Sequence, residues 1–150
     1  MTRRRLVPAG IFVLVLGLAP VVVGCSSDRD DSDAPKVVRT PLLDRADATT
    51  LEQPLEYPDG HAEVSSATVR MAPGQETGWH RHDTPLYVQV IRGTVTVYYD
   101  GDVVKTYPAG SAFIEAIGTY HNGRNEGDEP VEILTVSIGA EGLENTVARP

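Results

Sequence analysis

The sequence predicts an all-β domain, its short strands joined by tight turns and closed into a sandwich or barrel. Three observations carry this. From Leu42 onward apolar residues recur with a period of two, the spacing that puts alternate side chains on one face of a strand. Glycine (14) and proline (11) are plentiful while aromatic residues are only 6%, a balance that suits turns rather than a helical bundle. No stretch shows convincing helical spacing, and 150 residues leave room for one domain rather than two.

The elements follow in order. Ala67, Val69 and Met71 alternate with Thr68 and Arg70. Leu86, Val88 and Val90 alternate with Tyr87 and Gln89, and Thr94–Tyr99 alternates again with Val95, Val97 and Tyr99 on one side. Asp100-Gly101 then reads as a two-residue hairpin turn, glycine accepting the positive φ such turns need. Val103–Tyr107, Ala112–Ile117 and Val131–Ile138 complete the strands. Pro73-Gly74, Pro108-Ala109-Gly110 and the run from Asn122 to Pro130 supply turn chemistry between them.

The first residues read as an address. Met1–Arg5 is basic, Leu6–Val23 is almost wholly apolar, and Val22-Val23-Gly24-Cys25 ends the run with small residues before a cysteine. That is the layout of a secretory signal over residues 1–24. The alternative, a membrane-spanning anchor, is opposed by Pro8, Gly10, Gly17, Pro20 and Gly24. The last four residues resemble the bacterial lipobox, which implies cleavage before Cys25 and its lipidation. Thr2-Arg3-Arg4-Arg5-Leu6-Val7 also looks like a twin-arginine export signal, a route that carries folded proteins; the alternative is an ordinary basic start. Residues 25–41 hold Asp28, Asp30, Asp31 and Asp33, then Pro35 and Pro41. Clustered like charge with few apolar residues reads as an unfolded spacer. The globular domain is then expected over 42–150, at the extracytoplasmic side of the cell membrane and tethered by lipid alone.

Charge and cysteine usage narrow the partners. The formal net charge is −8; removing Arg3, Arg4 and Arg5 from 13 basic residues leaves 10 against 21 acidic ones, or −11. Such a surface repels nucleic acid and anionic headgroups, which excludes nucleic-acid binding. Cys25 is the single cysteine, so the fold stands on its core without an internal disulfide.

The chemistry lies in the histidines. His80 and His82 stand at i and i+2 in Trp79-His80-Arg81-His82, a spacing that on a strand points both imidazoles to one face. A metal ion needs at least one more ligand, and His121, after the Ala112–Ile117 strand, is the candidate. Taken singly, a His-x-His pair or a lone histidine is a weak signal.

Together with its surroundings the pattern resembles the cupin superfamily. Gly74-x5-His80-x-His82 followed by Gly93 is similar to the first cupin motif, and Pro108-x-Gly110 followed by His121-x3-Asn125 to the second. The resemblance covers roughly residues 60–140. It implies a small jelly-roll barrel with His80, His82 and His121 as three inward imidazole ligands of one divalent transition metal. It also implies a small-molecule ligand or substrate, and dimers formed through the outer sheets.

One departure matters. The family's fourth ligand is a glutamate usually seven residues before the motif-one glycine, and counting back from Gly93 lands on Leu86. Without that carboxylate, three neutral imidazoles favour Fe, Zn, Ni or Cu over an oxygen-loving ion, and ligand type alone does not choose among the four. Glu115 shares strand parity with Phe113 and is the candidate replacement: it could ligate, orient a histidine or act as a general base, the alternative being an exposed strand carboxylate. Gln89, on the opposite parity from Leu86, is the weaker candidate. Trp79 and Tyr87 are expected in the core or at the barrel mouth, Glu76, Arg81 and Arg124 at the entrance or in solvent, and His61 is incidental.

Two functions from different classes fit. One is an extracytoplasmic metal-dependent enzyme acting on a small organic molecule, of oxygenase type (dioxygenase-like through the three histidines) or isomerase type. The other is a non-catalytic module that holds a small ligand or a metal at the cell envelope. Fold does not decide between them, and the sequence leaves the reaction open.

Overall fold

The computed structural model describes residues 36–150. The signal expected over 1–24, Cys25 and the spacer as far as residue 35 lie outside them; residues 36–41 carry no strand or helix and are exposed. Arg39–Pro150 is one compact unit. Its strands are β1 (Ala62–Met71), β2 (His80–Arg81), β3 (Leu86–Arg92), β4 (Thr94–Tyr99) and β5 (Val103–Pro108). They continue with β6 (Ala112–Ile114), β7 (His121–Arg124), β8 (Val131–Ala140) and β9 (Val147–Ala148), with no helix among the described residues.

The strands form two antiparallel sheets, ordered β1-β8-β3-β6 and β5-β4-β7-β2-β9, which together make a jelly roll. Apolar alternation explains the inner faces. Leu86, Val88 and Val90 of β3 meet Val95, Val97 and Tyr99 of β4 in a core completed by Phe113, Val131 and Ile133. These side chains provide the apolar burial that stabilises a fold without disulfides.

The sheets exchange at Gly93, the single residue between β3 and β4. Its φ is +75°, and a Cβ there would sit 2.8 Å from the carbonyl oxygen of Pro130 and 3.1 Å from Cα of Val131. Only glycine meets both demands. Asn125 stitches the same corner. It is 1% exposed, and its Nδ2 donates to the carbonyls of Met71 (3.0 Å) and Glu129 (2.8 Å) while its Oδ1 accepts from the Gly127 N–H (3.1 Å).

The structure corrects three sequence expectations. The hairpin after β4 has three loop residues rather than two, because Tyr99 pairs with Val103, and both Gly101 (φ 87°) and Asp102 (φ 62°) take the left-handed conformation. The strand expected over Ala112–Ile117 ends at Ile114. Glu115 N–H still bonds to Leu86 O (2.8 Å), but the Ala116 N–H is taken by Glu115 Oε1 (2.7 Å), and the ladder stops. The run from Asn122 to Pro130, read as turn, opens with β7 instead. Its segment His-Asn-Gly-Arg buries polar groups and so carries no hydrophobic alternation.

Candidate metal centre

The sheet that ends in β9 assembles the site. β2 lies between β7 and β9, so His80 pairs directly with His121, and His82 follows in a bridge to Ile117. The three ring centroids stand 5.0, 4.5 and 5.1 Å apart. His82 and His121 are buried and His80 is half-buried.

Each imidazole has one nitrogen committed to the backbone. His80 Nδ1 donates to Gly78 O (2.8 Å), His82 Nδ1 to Asn145 O (2.7 Å) and His121 Nδ1 to Thr119 O (3.0 Å). A carbonyl only accepts, so the proton of each neutral ring sits on Nδ1 and each Nε2 keeps its lone pair. This is the arrangement by which outer partners orient metal-binding histidines. Burial pushes His82 and His121 down to about 4; for both, the backbone carbonyl opposes the shift and neighbouring imidazoles add to it. Two of the three rings are therefore neutral, as ligands must be, well below physiological pH.

Glu115 lies beside the cluster. It is 4% exposed, and its Oε2 lies 3.8 Å from Nε2 of His121. That is too long for a hydrogen bond, and it is no ion pair, since His121 is neutral near pH 7. Burial pushes the carboxyl up to about 7, against the Ala116 N–H and the nearby His80, which favour its ionised form. Leu86, at the position of the missing family glutamate, is buried on the neighbouring strand and lines the same cavity. A buried carboxyl thus stands one strand away from Leu86, just past β6. The Tyr99 hydroxyl is buried without a hydrogen-bond partner, its ring centroid 5.7 Å from that of His121; burial and the nearby Glu115 raise its pKa.

The donor set fits a divalent transition ion. The ligand atoms of the three histidines all lie within 4.8 Å of one another. Metal–nitrogen bonds of about 2.0–2.1 Å would bring such atoms to roughly 3.0–3.5 Å from one another.

Other candidates fall elsewhere. Glu76 pairs with Arg124 at 3.0 Å, Arg124 lies over Tyr98 at 4.6 Å, and Arg81 pairs with Asp83 at 3.1 Å. None of these lines the cavity, so of the two places expected for them the structure favours solvent over the entrance. Gln89 and Tyr87 are half-buried outside it, and His61 is exposed before β1. Trp79 does line the cavity, with the Arg149 guanidinium 4.6 Å above its ring. Sequence reasoning missed Asn145 and Thr146, whose carbonyl and hydroxyl (3.3 Å) meet His82 Nδ1. No sequence signal marks them, because any residue offers a carbonyl.

Residues 67–137 match the family model of the cupin domain. No curated protein gives a significant match. Among solved structures, a chain from the DMSP lyases RdDddP and RnDddQII superposes with a TM-score of 0.50 at 16% identity, over 58% of this chain and 44% of that one. The DMSP lyase DddQ from Ruegeria pomeroyi gives 0.49 at 19% identity, over 57% and 42%. A conserved protein with a double-stranded β-helix domain from Klebsiella pneumoniae gives 0.49 at 26%, over 58% and 71%. The chain thus spans less than half the length of the lyase chains it resembles, and the likeness to them is one of fold. The match to the family model supports a cupin domain over residues 67–137.

Proposed function

We propose that the protein is an exported, lipid-anchored cupin that holds one divalent transition metal between His80, His82 and His121 and acts on a small organic molecule. The observation that carries this is the set of three Nδ1 atoms tied to backbone carbonyls, which leaves three Nε2 lone pairs free for one ion. Bound there, Fe, Zn, Ni or Cu supplies Lewis acidity and, for iron or copper, redox chemistry with dioxygen. The chain's own residues do the rest. The three carbonyls hold the rings in place, and the apolar walls exclude water. Glu115 presents Oε2 beside His121, where it can hold or take a proton from a bound molecule.

Metal analysis by mass spectrometry tests this on the full chain, made both through its own export route and in the cytoplasm. The expected result is near-stoichiometric transition metal in the parent and its loss in the His80→Ala/His82→Ala variant. No metal in either preparation, and none taken up on titration, overturns the reading.

Lipid anchoring rests on Val22-Val23-Gly24-Cys25 and the apolar run before it. Cys25→Ser should move the protein from the membrane fraction to the soluble fraction of the cells that export it. Unchanged partition would end the lipid-anchor reading and leave the metal site untouched.

A further inference from the structure

The cavity in front of the histidines has walls of one chemical character. Its volume is about 620 Å³, within the roughly 300–1,000 Å³ of pockets that hold drug-sized ligands. Val69, Leu86, Val88 and Ile133 line it from one sheet, Val95 and Val97 from the other. Phe113, stacked on Tyr107 at 3.7 Å, adds an aromatic face. Exposed Ala67, Thr77, Thr146 and Ala148 mark the mouth.

Charge is the discriminating feature. Among the described residues lining this cavity there is no lysine or arginine, and the one acidic side chain is Glu115. The nearby cations are engaged elsewhere: Arg81 with Asp83, Arg124 with Glu76, Arg149 with Asp100, and Lys105 with the carbonyl of Thr50. A carboxylate or phosphate entering the cavity would shed its hydration with no cationic side chain to replace it, and would meet Glu115. Burying a charge without a partner is among the costliest steps in recognition.

We infer that the cavity takes a neutral, largely apolar organic molecule bearing an oxygen donor, a hydroxyl or carbonyl, and that without an ion at the histidines it discriminates against carboxylates and phosphates of the same shape. Only the contact of the oxygen with a metal rests on the function proposed above; the preference for neutral molecules belongs to the walls of the metal-free cavity.

The chain carries its own reporter. Trp79 is the single tryptophan and lines the cavity. Adamantanol and adamantanecarboxylate share one rigid, optically silent cage and differ in charge. Titrated into the full chain stripped of metal by chelation, the alcohol should perturb Trp79 emission and bind at least about tenfold more tightly than the acid, with calorimetry as a second readout. Ala67→Arg, at the exposed mouth, should narrow that gap by favouring the acid. Equal or tighter binding of the carboxylate overturns the inference, as does binding of neither compound by fluorescence and calorimetry. Metal content measured on the same preparations keeps the two readings apart. An alcohol-selective cavity without metal affinity would overturn only the metal site, and a metal-binding protein that prefers the acid would overturn only the present inference.

Discussion

Glu115→Gln should stabilise the metal-free protein by about 3 kcal/mol at pH 8 and leave it nearly unchanged at pH 4. The carboxyl is buried in the native state and pushed up to about 7, against an ordinary value of 4.5. Between those two values the native state holds a proton that the unfolded chain releases, so rising pH takes stability away through that window. Above it the native protein carries an ionised carboxylate in a buried site, and every tenfold difference in proton affinity between the native and unfolded chains is worth ~1.4 kcal/mol. Glutamine keeps an acceptor for the Ala116 N–H and removes the ionisation. His82 and His121 act with the opposite sign. Their native values near 4 lie below the ordinary 6.5, so the unfolded chain binds the extra protons and stability falls as pH drops from 6.5 to 4, in parent and variant alike. The difference between the two proteins therefore grows from pH 4.5 to 7 and is flat above. Urea titrations across this range measure it, and superimposable pH profiles would sink the account. With metal bound the sign reverses: the cation stabilises the carboxylate, and the substitution should weaken metal binding.

Gly93→Ala should cost about 3 kcal/mol or more and lower Tm by about 10 °C or more. Two penalties add. A φ of +75° is a left-handed conformation that costs an L side chain roughly 1–2 kcal/mol. The added Cβ would also press to 2.8 Å from Pro130 O and 3.1 Å from Val131 Cα, and overpacking typically costs about 1–3 kcal/mol. Gly101→Ala separates the two. Its φ is +87° but a Cβ would meet nothing within 4 Å, so only the conformational penalty remains, about 1 kcal/mol. Equal losses from the two substitutions would show that the contact at Gly93 relaxes freely.

The pattern of alternation is readable only where a strand serves the core. β3 and β4 alternate strictly because one side of each faces it, and their extents are plain in Leu86–Val90 and Thr94–Tyr99. β7 is invisible to the same reasoning because it buries His121 and Asn122, which serve the site rather than the core. His80 and His82 announce a shared face by spacing alone, whereas their meeting with His121 depends on a strand order that no local pattern encodes. Strand parity points Glu115 inward, and the structure puts it beside His121; the Asn145 carbonyl, which depends on backbone position rather than residue type, leaves no trace.

The link between His82 and Asn145 has a consequence in time. Sixty-three residues separate them, and a ribosome adds about 5–20 residues per second. Roughly 3–13 s therefore pass between the synthesis of His82 and that of the carbonyl that orients it. β9, the strand beside His80, arrives later still. During synthesis the nascent chain offers histidines whose ring orientations are unset, open to any ion within reach. The metal site proposed above would therefore be complete only when the last of these segments has docked, and its loading would be an event of the finished fold.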